Sequence, residues 1–301
     1  MKLTKIASLV MTSATVLSTV AAATPAIIQA KTQEGNKTMN GGKALPDTNH
    51  STVGIGFSQD QDAKPDPNKH HDDDGVGYLR LQYVPAVLDF GSHTKFNPAA
   101  PIFTAAGKNL NNSGNDSATS KGYAGADNQT PKLTTTNPNL SGVNGKTWVT
   151  VVDKQDSRTD TDDKNNKITG DWQLSVKADG PLTTGKDADA KTIAGATLAF
   201  SNTAAAAAGY VFGLTGSVAD KGYEPAYAPL SPTATKKLTV NLAADSTAVQ
   251  VGTAPIGSSN GGAFVFAWDP SDIQLALPTD ANIVKGTYTT SLTWTLSTGI
   301  K

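Results

Sequence analysis

His70-His71-Asp72-Asp73-Asp74 puts two imidazoles and three carboxylates into one short run, a donor set able to hold a divalent cation. The donors are neighbours on a segment poor in apolar residues, so ordering them around an ion costs chain entropy. A solvated linker is the expected role. Asp160-Thr161-Asp162-Asp163-Lys164-Asn165 has oxygen donors at alternate positions, as calcium loops do. It lacks the glycine at position six and the glutamate at position twelve, and reads as an acidic hairpin loop. Neither metal nor cofactor is expected.

Catalysis has a thin inventory. There is no cysteine, hence no thiol nucleophile. Of four histidines, His50, His70 and His71 fall in a polar N-terminal stretch, and His93 follows Gly91-Ser92 in what reads as a loop. The only glutamates are Glu34 and Glu224, and no pair of aspartates stands out for glycoside hydrolysis. The chain is therefore expected not to be an enzyme. Tyr210, Tyr223 and Tyr227 cluster in a Gly-, Ala- and Pro-rich stretch. Tyr223 and Tyr227, within Gly222-Tyr223-Glu224-Pro225-Ala226-Tyr227, form a candidate exposed contact loop; the alternative is that they cap a core with a wet hydroxyl.

The elements that would position such groups begin with an export signal. Lys2 and Lys5 precede an apolar run from Ile6 to Val20, and cleavage is expected after Ala30. The run is too short and too rich in Thr and Ser for a membrane anchor, and no membrane insertion is expected after cleavage. With residues 1–30 removed, Lys and Arg fall from 25 to 23 against 26 Asp and Glu, a net charge of about −3. That charge, with arginine only at Arg80 and Arg158, argues against a nucleic-acid partner. An exported chain without cysteine has no disulfide framework and must build a real core.

Residues 31–75 read as a flexible polar tether, in which Val53, Ile55 and Phe57 hint at one short strand. The folded domain is predicted over 76–301. Alternation predicts strands at 78–84, 87–91, 147–153, 171–178, 196–201, 237–243, 248–252, 263–268, 273–277 and 288–297, with long polar loops between them. The strand at 171–178 is expected to be the hairpin partner of 147–153. Helical periodicity is poor throughout, so the fold class is all-β, an antiparallel β-sandwich-like domain.

Two of these strands carry Trp-x-Leu: Trp172-Gln173-Leu174 and Trp294-Thr295-Leu296. Residues two apart share a strand face, so each Trp stands beside its Leu on an apolar face whose opposite side is polar. Two roles are open. The rings are core staples, or they are platforms on which a sugar stacks. The Leu and Val beside each Trp favour burial.

These tripeptides, together with Val87-Leu88-Asp89-Phe90-Gly91, Ala196-Thr197-Leu198-Ala199-Phe200-Ser201, Ala267-Trp268-Asp269-Pro270, Ile273-Gln274-Leu275-Ala276-Leu277-Pro278 and Gly286-Thr287-Tyr288, resemble in order the segments of the WxL-domain proteins. These are cell-surface proteins of low-GC Gram-positive bacteria, and the resemblance covers about residues 78–301. It implies a secreted, non-catalytic protein of the cell wall that associates non-covalently with peptidoglycan, in complexes with other surface proteins of the same system. Leu45-Pro46-Asp47-Thr48 only begins like a sortase signal, and the sequence ends at Ile300-Lys301 without a sorting tail, so non-covalent attachment is the expectation. Two rivals remain: an interaction subunit whose partner is another surface protein, and a secreted carbohydrate-binding module for external glycans.

Overall fold

A strand that is apolar on one face and polar on the other buries the apolar face against another sheet. The protein, in a computed structural model, is described at residues 40–41, 43–57, 77–110, 121–125, 127–157, 171–185, 189–225, 228–254 and 261–298. The strands among the described residues form three sheets. The first runs β12 (Thr233–Ala234), β14 (Val249–Ala254), β7 (Trp172–Ala178), β17 (Gly286–Thr298), β1 (Asp47–Phe57), β3 (Val87–His93), with β8 (Leu182–Thr184) beside β17 and β9 (Lys191–Ile193) beside β8. The second runs β13 (Lys237–Asn241), β10 (Thr197–Ser201), β16 (Ile273–Ala276), β4 (Ile102–Thr104), β5 (Lys108–Asn109). The third runs β11 (Ala204–Ala208), β15 (Gly262–Trp268), β6 (Thr147–Asp153), β2 (Leu79–Tyr83). The only helix of α type among the described residues is α1 (Phe212–Thr215).

All three sheets turn apolar faces into one core. Ile55, Leu174, Val176, Leu292, Trp294 and Leu296 come from the first sheet, Leu198, Phe200, Val240 and Leu275 from the second, and Leu81, Val151, Phe264 and Phe266 from the third. The architecture is all-β and sandwich-like, as the alternation predicts. One pairing differs from an antiparallel plan: β1 and β3 run parallel, with Thr52 beside Val87 and Val53 beside Leu88.

The stretch expected to be a tether contains β1. It pairs antiparallel with β17 along its whole length, from Asp47 opposite Leu296 to Phe57 opposite Gly286. Val53 and Ile55 are completely buried, and Asp47 Oδ2 accepts a hydrogen bond from Leu81 N–H at 2.7 Å. Polar composition averaged over residues 31–75 hides this strand, because its inward residues are diluted by Ser, Thr and Gly. The sortase-like Leu45-Pro46-Asp47-Thr48 is therefore part of the folded domain, with Leu45 in the core. Residues 1–30, His70 to Asp74 and Asp160 to Asn165 lie outside the described residues.

The expected hairpin of β6 with β7 does not form. β6 pairs with β15 and β2, while β7 lies between β14 and β17. The two strands sit in different sheets and meet across the core, where the Trp172 ring packs 5.5 Å from Phe264, a β15 residue.

Candidate functional site

The two Trp-x-Leu strands are neighbours. β7 and β17 pair antiparallel with Leu174 directly opposite Leu296 and Val176 opposite Trp294. Trp172 and Trp294 are 1% and 0% exposed. Each indole N–H is satisfied inside the protein: Trp172 Nε1 donates to Asp153 Oδ2 at 3.2 Å, and Trp294 Nε1 donates to Ser51 Oγ, on β1, at 2.8 Å. Trp294 sits among Phe200 and Trp268, with ring centroids at 6.0 and 6.2 Å. No ring face of either residue is open to a sugar from solvent in this arrangement.

The Leu-Asp-Phe-Gly segment is a knot of backbone hydrogen bonds. Asp89 Oδ1 accepts from the N–H groups of Gly91 at 2.8 Å and Tyr123 at 3.0 Å, and Oδ2 accepts from that of Gln129 at 2.9 Å. This ties the 121–130 loop over β3, an edge strand that would otherwise expose its backbone. Burial raises the Asp89 pKa; the three N–H groups pull the other way and do not cancel it.

A solvent-open cleft of about 720 Å³ lies on the outer face of the third sheet, within the size range of small-molecule sites. Its floor comes from β2 and β6. β2 carries a bulge: Leu81 pairs with Val151 but Tyr83 pairs with Thr150, so two residues of β2 oppose one of β6. Simple alternation puts Tyr83 on the core face with Leu79 and Leu81. The extra residue turns it outward, where it stacks on Trp148 at 4.1 Å with the planes 8° apart. Tyr83 is 8% exposed and backs the indole, whereas Trp148 remains partly exposed.

The flanks of the cleft are built separately. On one side, residues 133–139 close against Lys146 through Leu133 N–H to Lys146 O at 2.8 Å. There Asn137 caps a short 3-10 turn, its Oδ1 accepting from Asn139 N–H at 3.0 Å. On the other side stand Tyr210 and α1. The Tyr210 ring rests on Gly213, where a Cβ would meet it at 2.5 Å, so only glycine allows this approach. Tyr210 stays 55% exposed at the rim.

Behind this second flank lies a buried ion cluster. Asp220 accepts from Arg80 Nη2 at 2.5 Å, Lys154 Nζ at 2.8 Å and Thr215 Oγ1 at 2.7 Å. Arg80 also donates to Gln82 Oε1 at 2.6 Å. The cluster thus fastens α1 to β2. Burial pushes the Asp220 carboxyl up, but the bonds from Lys154, Thr215 and Arg80 outweigh it and hold the pKa below the usual carboxylate range. None of these charges enters the cleft, whose lining is aromatic, amide, hydroxyl and aliphatic only. Thr150 is part of the floor, and its hydroxyl is buried with no hydrogen-bond partner.

The other residues singled out by sequence fall elsewhere. His93 is a buried member of β3 rather than a loop residue, with Nε2 2.8 Å from Phe90 O. Tyr223 points its hydroxyl inward, donating to Asp156 Oδ1 at 2.6 Å; burial and that carboxylate raise its pKa. Tyr227 lies outside the described residues. Gly257-Ser258-Ser259-Asn260-Gly261, not weighed in the sequence analysis, has the spacing of a nucleophile elbow and falls in sequence between β14 and β15. Residues 257–260 are outside the described residues. No helix among the described residues is long and apolar enough to cross a membrane.

Sequence reading missed the cleft. Trp148 is visible in Thr147-Trp148-Val149-Thr150 as an outward aromatic on a strand, but its stacking partner depends on the bulge. Compared with known proteins, the chain matches the sequence model described as WxL domain surface cell wall-binding over residues 44–299. No curated protein and no solved structure gave a significant match.

Proposed function

The chain belongs to the WxL-domain family of surface proteins that bind the cell wall, and we propose that its wall ligand is peptidoglycan, held non-covalently and without catalysis. The observation that carries this is the cleft itself, an open, uncharged site with aromatic and hydrogen-bonding groups and no nucleophile or acid–base pair in its lining. Such a lining suits reversible contact with an uncharged stretch of a polar polymer. The carboxylates described at buried positions are committed to structural bonds, Asp89 to backbone N–H groups and Asp220 to the ion cluster.

Cosedimentation with purified sacculi, free of other proteins, tests the reading. Bound protein should leave the pellet in chaotrope without muralytic enzyme. Protein that stays in the supernatant, or that leaves only after lysozyme digestion, contradicts it. Membership of a surface complex is a second reading, favoured by the exposure of Val218 at 81% and Leu230 at 51%. Crosslinking on intact cells, with Val218→Asp and Leu230→Asp as controls, tests that separately.

A further inference from the structure

We infer that the cleft between residues 133–139 and α1 is a saccharide site for the glycan strand of the wall polymer, with Trp148 as its stacking surface and the Thr150 hydroxyl as a polar contact. This rests on peptidoglycan being the wall ligand and names which part of it is recognised.

Peptidoglycan offers two chemistries. Its stem peptides carry carboxylates and amines, and other wall polymers carry phosphates. A half-enclosed charge needs an opposite charge or a charge-assisted hydrogen bond. The lining contains neither Lys, Arg and His nor Asp and Glu. The glycan backbone is a chain of N-acetylated pyranoses. A pyranose has an apolar C–H face that covers an aromatic ring, and an edge of hydroxyl and acetamido groups that need hydrogen-bond partners.

The cleft matches both halves of that ligand. Trp148 supplies a ring held flat by Tyr83, so little ordering is left for binding. Tyr210 adds a second aromatic at the rim, seated on Gly213. Polar groups surround the rings. Gln82 commits its carbonyl oxygen to Arg80 and lines the cleft beside Tyr83. Asn137 commits its own to Asn139 and lines the opposite side. Thr150 is the independent sign of a ligand: a buried hydroxyl without a partner is uncommon in a folded protein and marks a place where an outside group completes the bonding.

The test uses the full exported protein, purified sacculi and two soluble competitors: the neutral N-acetylglucosamine tetramer of chitin and a free stem tetrapeptide. The sugar should displace the protein from sacculi and the peptide should not. Trp148→Ala should weaken sacculus binding by about tenfold or more, as truncating a central aromatic contact does. Thr150→Val should also weaken binding while its melting temperature holds or rises, since the change removes an unsatisfied hydroxyl and keeps the shape. A purely structural Thr150 could not give that combination, and this variant carries the test if Trp148→Ala folds poorly. Failure of the sugar to compete, or wild-type binding by either folded variant, overturns the saccharide site while leaving peptidoglycan attachment intact. Wild-type protein that does not bind sacculi overturns both.

Discussion

Leu174 and Leu296, the last residues of two Trp-x-Leu tripeptides far apart in the sequence, stand directly opposite each other on adjacent antiparallel strands. The signature is thus one structural unit, a cross-strand pair in the middle of a sheet with a buried Trp on each strand. Cross-strand pairs on a buried face are the unit by which a sheet is stabilised. The spacing within each tripeptide follows from alternation, since Trp and Leu must share the inward face.

Trp294→Ala is expected to cost about 3–5 kcal/mol, the range for emptying a large aromatic site. It also leaves Ser51 Oγ without the indole N–H. Urea denaturation measures this, and Trp294→Phe should recover a large part of the loss. A fully stable Trp294→Ala protein that no longer sediments with sacculi would move the binding site onto the signature.

Deleting residues 47–57 should abolish cooperative unfolding. The deletion removes β1 from between β17 and β3 and uncovers the inner edge of both. A truncated protein that still melts in one sharp transition near the wild-type temperature would mean that β1 is dispensable.

Asp220→Ala should destabilise by about 3–5 kcal/mol, because it leaves a buried guanidinium without its partner. The pH dependence has a definite sign. Asp220 has a lowered pKa in the folded protein, so its contribution is present above the unfolded value of 3.8 and is lost as pH falls through the folded pKa. Asp89 has a raised pKa and the opposite sign: its contribution is complete below 3.8 and is lost as pH rises through the folded value. In acid titrations followed by thermal melting, Asp220→Asn should therefore flatten the loss of stability on the acid side. An unchanged acid limb would exclude Asp220 as its source.

Gly54→Ala should cost about 1–3 kcal/mol by overpacking. A Cβ at Gly54 would come within 2.6 Å of the Tyr123 ring, and Tyr123 is tied through its backbone N–H to Asp89. Pairing the change with Tyr123→Ala should relieve much of the penalty in a double-mutant cycle; purely additive effects would show that the ring is not the obstacle.

What the sequence makes legible is local. β17 alternates Tyr288, Leu292, Trp294 and Leu296 inward against threonines outward, and the pattern alone assigns both element and face. β1 obeys the same rule through Ser51, Val53, Ile55 and Phe57, but it lies in a polar stretch whose average composition masks it. Pairing is less legible than strand existence. β6 and β7 are near in sequence yet belong to different sheets, because partner choice is settled by which faces meet in the core. The cleft was hidden for a further reason. A one-residue bulge reverses the face of Tyr83, and nothing in Leu79-Arg80-Leu81-Gln82-Tyr83 signals it.

The full-length pairing of β1 with β17 has a consequence for how the chain matures. These are the earliest and the latest strands among the described residues, and each is the other's neighbour at the middle of the largest sheet. A chain that emerges N-terminus first can pair β1 with β3 early, but the β17 side of β1 stays open until the last strand arrives. The sheet therefore cannot close midway through synthesis, and its slow, long-range strand pairing comes last.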